Sequence, residues 1–329
     1  MQMVWTLLAA VTLAMLTSPA LAQDGRERHY FIAAEETTWD YAPSKRSLMA
    51  HGSHGNAIPL PWRGNTKWKK VRYVEYTDET FTTKKPQPAW LGVMGPVLRA
   101  EVGNTILVHF WNRARRHYSV HPHGVRYTKD HEGAHYTPAG SGARVAPGAR
   151  FTYTWTVDEG SGPGPADPSS IVWWYHSHVD EPADVNAGLL GPLVITARGK
   201  ARPDGTPADV DRELVVLLMN FDEAKGKERG MMHSINGFLF GNLPALSMKN
   251  GERVRWYLLG MGNEKDLHTL HWHGKTLRYQ QRNTDVVELL PGSMGTADML
   301  ADNPGTWLLH CHVADHLYGG MVATYTIAP

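Results

Sequence analysis

The residues with the most chemical potential lie close to the C-terminus, in Trp307-Leu-Leu-His-Cys-His-Val-Ala-Asp-His-Leu-Tyr-Gly-Gly-Met321. Cys311 is the only cysteine of the chain, and His310, His312, His316 and Met321 accompany it. A thiolate, imidazoles and a weak thioether are the donor set of a blue-copper electron-transfer centre. A lone buried cysteine is ordinarily a small apolar side chain, but so many donor atoms in one short stretch ask for a metal. Gly305 to Leu309 is short, apolar and turn-bounded, which predicts a strand running into the motif. Side chains on a strand alternate faces. Cys311 then points to one metal, while His310 and His312 point away, toward another. Two centres are expected back to back, joined by a few covalent bonds.

Three further pairs share the His-x-His form: His121-Pro-His123, His176-Ser-His178 and His271-Trp-His273. Each pair is expected to set two imidazoles on one strand face. One such pair is weak grounds for a metal, but these recur in matched places. Gly103-Asn-Thr-Ile-Leu-Val-His-Phe110 parallels Gly251-Glu-Arg-Val-Arg-Trp-Tyr-Leu-Leu259. His121-Pro-His123-Gly124 parallels His271-Trp-His273-Gly274, and His176-Ser-His178 parallels His310-Cys-His312. Two homologous β-domains are the economical explanation. Together the pairs hold enough imidazoles for three copper ions with positions left open for O2. Reducing O2 to water takes four electrons, and stopping early releases superoxide or peroxide, so several coppers held together suit the task. Neutral imidazole serves both copper oxidation states, with neighbouring groups fixing its tautomer.

The elements that must position these residues follow from composition. A chain of 329 residues suggests about two domains. Its net charge of +1 supplies no field for nucleic acid. Abundant Gly, Pro, Trp, Tyr, Thr and Val predict an all-β sandwich or barrel of short strands. Val4 to Leu16 is apolar and Ala20-Leu-Ala22 is a small-residue cleavage site, so residues 1–22 are read as a signal peptide. The mature chain, periplasmic or extracellular, is expected to begin at Gln23. The apolar run is shorter than the roughly 20 residues of a membrane helix, and no other stretch suits a span. In an oxidising compartment an unpaired cysteine invites a metal. Residues 23–66 read as a polar lead-in arm with solvated His51 and His54. A first β-domain is placed at 67–198, a Pro/Gly/charged linker at 199–211 and a second β-domain at 212–329.

The four motifs resemble those of the multicopper oxidase family, built from cupredoxin domains, over about Trp90 to Tyr325. The resemblance implies two cupredoxin-like Greek-key domains and one type 1, one type 2 and two type 3 coppers per chain. The type 1 ligands would be His268, Cys311, His316 and axial Met321. The type 2 copper would take His121 and His271. One type 3 copper would take His123, His176 and His312; the other would take His178, His273 and His310. In the first half Ser177 stands for Cys311, Tyr118 for His268 and Pro182 for His316, so that half keeps its share of the cluster without a type 1 site. Two-domain members of the family place the cluster between chains of a homotrimer, which is the expectation here.

Several stretches resemble ceruloplasmin-type domains: His121 to Tyr136, Met232 to Leu243 and Gly260 to His268. That resemblance implies an Fe(II)-accepting cluster at Glu228, His233 and Asp315, whose oxygen and nitrogen donors suit the ion. The sequence reading puts laccase-like oxidation of phenols and aromatic amines first, with those carboxylates taking the phenol's proton. Oxidation of Fe(II) or Cu(I) is the alternative. A copper nitrite reductase would need only a three-histidine catalytic copper, and a non-catalytic copper-binding protein would not need the full cluster set. Asp130 and Glu132 are candidates for relaying protons. The segment after Gly133 lacks the acidic residues of a calcium loop. Met231, Met232 and Met261 read as core filler.

Overall fold

The computed structural model describes residues 25–49, 55–262 and 266–329. The signal-peptide reading and both His51 and His54 lie outside the described residues. Alternation of buried and exposed side chains builds the first sheet from β1 (Glu27–Asp40), β2 (Lys67–Tyr76), β4 (Thr105–Asn112) and β6 (Arg150–Thr156), in the order β2-β1-β4-β6. The second sheet holds β3 (Leu98–Glu101), β5 (His121–Pro122), β7 (Ser170–His176) and β8 (Leu190–Thr196), in the order β3-β8-β7-β5. The lead-in arm expected over 23–66 is therefore corrected. Glu27–Asp40 is an inner strand, antiparallel to β2 and parallel to β4. Its Tyr30, Ile32 and Ala34 enter the first core while Phe31 and Ala33 pack with Tyr76 and Phe81 on the other face, so the short apolar run shows no polar alternation and is flanked by charged residues.

The second half repeats the plan. A third sheet runs β10-β9-β12-β17-β14-β15, with β9 (Arg212–Asp222), β10 (Met231–Ile235), β12 (Arg253–Met261), β14 (Leu277–Tyr279), β15 (Arg282–Thr284) and β17 (Met294–Leu300). The fourth runs β11-β19-β18-β13-β16, with β11 (Leu246–Lys249), β13 (His268–Trp272), β16 (Val286–Leu289), β18 (Gly305–Cys311) and β19 (Val322–Ala328). In both halves the first long strand lies parallel to the third sheet-forming strand, as β1 to β4 and β9 to β12. The last strand pairs in parallel with a short partner, as β8 with β3 and β19 with β11. The second half adds the β14–β15 hairpin and β16. Short helices α1 (Glu181–Ala187) and α2 (Ala314–Tyr318) follow β7 and β18 at equivalent points.

The four sheets stack in layers. One core fills the first half, including Ile32, Ile106, Trp155 and Tyr175. Another fills the second, including Trp256, Trp272, Cys311 and Tyr325. A third core joins the halves across the second and third sheets. The run Leu214-Val-Val-Leu-Leu-Met219 shows why. Leu214, Val216 and Leu218 enter the core of the second half, while Val215, Leu217 and Met219 enter the joint core. A strand buried on both faces reads as a continuous apolar run. Polar contacts fix the register of the joint. The Arg255 guanidinium donates to Asp298 (2.7 Å and 2.9 Å), to Ser170 (2.8 Å) and to Asp209 (3.1 Å).

Candidate metal centres

β18 carries Cys311 into the core of the second half beside Leu309, and its neighbours His310 and His312 join a different set of imidazoles. β13 begins with His268, and α2 swings His316 back over the thiol. The Cys311 Sγ lies 3.7 Å from His316 Nδ1, and the Nδ1 atoms of His268 and His316 are 3.2 Å apart. All three donors fall within 4.8 Å of one another, and all three residues are buried. Burial pushes His268 down to about 3 and lowers His316, while it raises the Cys311 thiol. Both rings are thus neutral, and two ring nitrogens meet across a gap that only a proton or a cation can reconcile. Met321 is fully buried in the same core, and its carbonyl accepts from the Cys311 amide at 3.1 Å. This donor set fits copper.

Six further histidines form two groups, His121 with His123 and His176, and His271 with His310 and His312. Their tautomers are fixed by carbonyls, which only accept. His121 Nδ1 donates to the Glu132 carbonyl at 2.6 Å and His271 Nδ1 to that of Asp285 at 2.9 Å. His176 Nδ1 donates to the Ser177 carbonyl at 3.1 Å and His310 Nδ1 to that of Cys311 at 2.9 Å. Their Nε2 atoms are left with lone pairs. Those of His176 and His310 face another imidazole nitrogen, His123 Nε2 at 3.0 Å and His273 Nε2 at 3.1 Å. Burial drives His123 to about 4 and His176 to about 3, so a shared metal, not a shared proton, suits each pair. These are the pairs that the resemblance gives to the two type 3 coppers. His178 lies outside the three-donor groups, with its ring 5.2 Å from that of His121 and its Nε2 3.3 Å from Glu181.

The two rings of each pair lie on one side, as expected, with centroids 5.4 Å apart for His121 and His123, 5.6 Å for His176 and His178, 4.6 Å for His271 and His273 and 4.9 Å for His310 and His312. Every pair sits at a strand end: β5 stops at Pro122, β7 at His176, β13 at Trp272 and β18 at Cys311. After His123 and His273 the chain turns at once. Gly124 and Gly274 follow at φ +72° and +73°, and a Cβ there would come within 2.1 Å of Trp173 and 2.6 Å of Trp307. Those indoles sit three residues before His176 and His310, a signal present in both repeats of the sequence. Among the described residues no three-donor group mixes the halves. β5 and β7 belong to the second layer and β13 and β18 to the fourth, with the third sheet between, so roughly 20 Å of packed sheet separates the two sets.

The first half shows what replaces the thiol centre. Ser177 N donates to the Leu189 carbonyl as Cys311 N does to that of Met321, and Leu189 N donates to the Asp184 carbonyl as Met321 N does to that of His316. The counterpart of His316 is therefore Asp184, not Pro182, because the loop after β7 is longer than the loop after β18. Ser177 Oγ donates to Asp184 Oδ2 at 2.7 Å, while the fully buried Asp184 Oδ1 has no partner. Burial raises this carboxyl.

Of the residues proposed to receive the electron donor, two adjoin the thiol centre. The His233 ring stacks on that of His316, with centroids 5.1 Å apart and planes 29° apart. The charge of exposed Asp315, at the start of α2, reaches both rings. Glu228 sits exposed in the turn Glu228–Gly230 before β10 and belongs to no three-donor group among the described residues. Sequence reasoning missed Asn220, which bonds both His233 and His316; nothing in its neighbours marks it. Asp130 is tied to Ser141 by two bonds, of 2.8 Å and 2.6 Å. Glu132 pairs with Lys129 and Tyr136 while its carbonyl holds His121. Met232 and Met261 are buried in the joint core, as filler.

Comparison with known proteins agrees with this geometry. Family models described as multicopper oxidase match residues 73–200 and 215–329. The chain is 39% identical to hephaestin of Rattus norvegicus over 363 residues, covering 99% of this chain and 31% of that protein. It is 40% identical to ferroxidase HEPHL1 of Homo sapiens, covering 91% and 29%, and 36% identical to ceruloplasmin of Homo sapiens, covering 98% and 33%. The chain thus spans about a third of the length of these relatives. In fold it is similar to a solved multicopper oxidase (TM-score 0.66, 21% identity, 94% of this chain and 92% of the other). The blue copper oxidase from Nitrosomonas europaea is similar too (TM-score 0.62, 20% identity, 92% and 86%). With both halves matched and the thiol and imidazole donors gathered as copper requires, the chain belongs to the multicopper oxidase family.

Proposed function

We propose that this chain is an exported oxidase that takes single electrons from a metal ion, Fe(II) or Cu(I), and couples them to the four-electron reduction of O2 to water. The observation that carries the choice of donor is the His233 ring, stacked on His316 beside the Asp315 carboxylate. An imidazole outside the blue-centre set, next to a negative charge, is a binding position for a hard or borderline cation. The ferroxidase name of one relative favours the same donor. Metal-ion oxidation therefore takes precedence over the oxidation of phenols and aromatic amines that the sequence reading puts first.

In this reading His268, Cys311, His316 and Met321 would hold the type 1 copper, and His121 with His271 the type 2 copper. His123, His176 and His312 would hold one type 3 copper, and His178, His273 and His310 the other. Copper in these positions would supply one-electron exchange and open coordination sites for O2. The protein's own part is to keep the imidazoles neutral by burial, to fix their tautomers with carbonyls and to keep water from the thiol. Cys311 is bonded through the main chain to both His310 and His312, so the donor side and the oxygen side share one strand end. Since the two imidazole sets of one chain lie in different layers, each is completed by a neighbouring chain. A head-to-tail ring, the homotrimer, closes all sets at once.

Oxygen uptake by copper-loaded protein, offered Fe(II), Cu(I) or a methoxyphenol with autoxidation blanks, tests the proposal. Saturable uptake with the metal ions is expected. Uptake with the phenol and only blank rates with the metal ions would overturn the choice of donor.

A further inference from the structure

The charge of the chain is nearly balanced, at +1, but it is not evenly spread. On the ribbon of β1 and β2 one face pairs Ala34 with Tyr73, Glu36 with Val71, Thr38 with Lys69 and Asp40 with Lys67. Ala34, Tyr73 and Val71 fill the core of the first half. Both strands then outrun that core, and the same face emerges into solvent at Glu36, Thr38, Lys69 and Lys67. Successive pairs on one face are about 7 Å apart. Two clefts share this emergent stretch. One, of 710 Å3, holds Thr38 and Lys69 with Arg115 and Arg116 from the loop after β4. The other, of 740 Å3, holds Asp40 and Lys67 with Lys45, Arg46 and Arg63. All seven of these cations are exposed.

The carboxylates that line the clefts are Glu36, 3.4 Å from Arg115, and Asp40, 3.6 Å from Lys67. Arg116 meets Asp180 at 3.3 Å. Exposed pairs at such distances contribute little and yield to a polyanion. Lys45, Arg46 and Arg63 meet no carboxylate among the residues lining their cleft other than Asp40. Lys70, on the opposite face of the ribbon, is sealed against Glu223 and adds no charge. We propose that this cationic groove binds an anionic polysaccharide, a chain of sugars bearing carboxylate or sulfate groups. Cations repeating at strand spacing match a linear polymer that carries a charge on each unit. Thr38 and Asn56 stand among them as partners for sugar hydroxyls. Tyr118, the one aromatic residue lining either cleft, is buried, so the bases of a single-stranded nucleic acid would find nothing to stack on. A plane of lipid headgroups would touch only the rims of concave clefts. The groove belongs to the first half and is independent of which donor supplies the electrons.

Binding of full-length, copper-loaded protein to immobilised heparin at about 0.15 M salt tests the groove. Lys69→Glu with Arg116→Glu, in one cleft, and Lys45→Glu with Arg46→Glu, in the other, should each weaken binding about tenfold or more, because two close charge contacts turn from attraction to repulsion. Lys249→Glu with Arg282→Glu changes the net charge equally on the second half and should leave binding within about twofold, since distant exposed charges are screened. Acetylation of the wild type, read by mass spectrometry, should find Lys45, Lys67 and Lys69 protected by heparin and Lys249 not. This arm needs no variant, so it decides the matter should a double variant fail to fold. No binding by the wild type, equal losses in the control pair, or no protection of the three lysines overturns the proposal. Tighter binding at the same salt to duplex DNA or to phosphatidylglycerol vesicles overturns the choice of a polysaccharide.

Discussion

The two halves share a backbone plan and differ at one internal site. In the second half the pocket behind the strand end holds His268, Cys311, His316 and Met321. In the first the corresponding residues are Tyr118, Ser177, Asp184 and Leu189, by the same backbone hydrogen bonds. Even minor contacts persist: Thr269 N donates toward Cys311 Sγ at 3.5 Å, and Ser119 N donates to Ser177 Oγ at 3.1 Å. The difference is therefore chemical. Two imidazoles, a thiol and a thioether have given way to a phenol, a carboxyl, a hydroxyl and an aliphatic chain, a set with no preference for copper. The outward-facing histidines are kept in both halves. In the proposed reading, holding the oxygen-side metals and holding the electron-receiving metal are thus separable tasks of one fold.

The comparison breaks most severely at the thiol. Cys311→Ser should abolish blue absorption and lower turnover on the order of 1000-fold, because a residue acting as part of a unit takes the unit's function with it. Ser177→Ala should leave the blue absorption intact; absorption spectra and oxygen uptake check both. A second break is to rebuild the missing centre. Tyr118→His, Ser177→Cys, Asp184→His and Leu189→Met together should stay colourless, because the longer loop sets α1 differently from α2. Removing two residues from 178–188 as well should double the blue absorption per chain, measured with copper content.

The donor face proposed above belongs to the second half, and its residues should not weigh equally. His233→Ala should raise the Fe(II) KM about tenfold, or about 1.4 kcal/mol. Glu228→Ala should raise it less than about threefold, since Glu228 is exposed and apart from the other two. Steady-state Fe(II) kinetics separate the two.

The smallest effect is one of sign. Burial raises Asp184 above its unfolded value of about 3.9, so the fold favours its protonated form. That contribution is full below the unfolded value and is lost as pH rises through the raised one. Asp184→Asn should therefore stabilise the protein by about 1 kcal/mol at pH 7 and have no benefit below about pH 4. In the metal-free chain His176, lowered to about 3, behaves oppositely. Its contribution is present above an unfolded value of about 6.5 and is lost as pH falls toward the lowered one. Urea titrations of the wild type and Asp184→Asn from pH 3 to 8 would reveal both slopes.

Much of this was legible in the sequence because metal donors cannot hide. Cys311 and the His-x-His pairs have few other uses together, and their spacing carries the strand alternation that separates Cys311 from its neighbours. The repeat was legible because the glycines and histidines recur at matched offsets. The strand Glu27–Asp40 was not, because its apolar run Tyr30 to Ala34 is short, packed on both faces and flanked by charged residues. The Asp184 counterpart was not, because counting residues from Ser177 leads to Pro182 when the loop differs in length; only the backbone bonds give the register. Asn220 and His233 meet across two strands, a contact set by pairing rather than by spacing. The convergence of Nε2 atoms between His123 and His176 belongs to the same class.

The strand β9, apolar on both faces, has a consequence for folding. Its side chains belong to two cores at once, so neither half can unfold without exposing the other's packing surface. The halves should melt together in one cooperative transition, although each carries its own interior. Cutting the chain at 199–211 and expressing the pieces should yield a second half with Val215, Leu217 and Met219 turned to solvent. A sheet face of that kind associates with whatever apolar surface it meets. The second half expressed alone is therefore expected to pair with a copy of itself through that face, replacing the cover that the first half supplies within one chain.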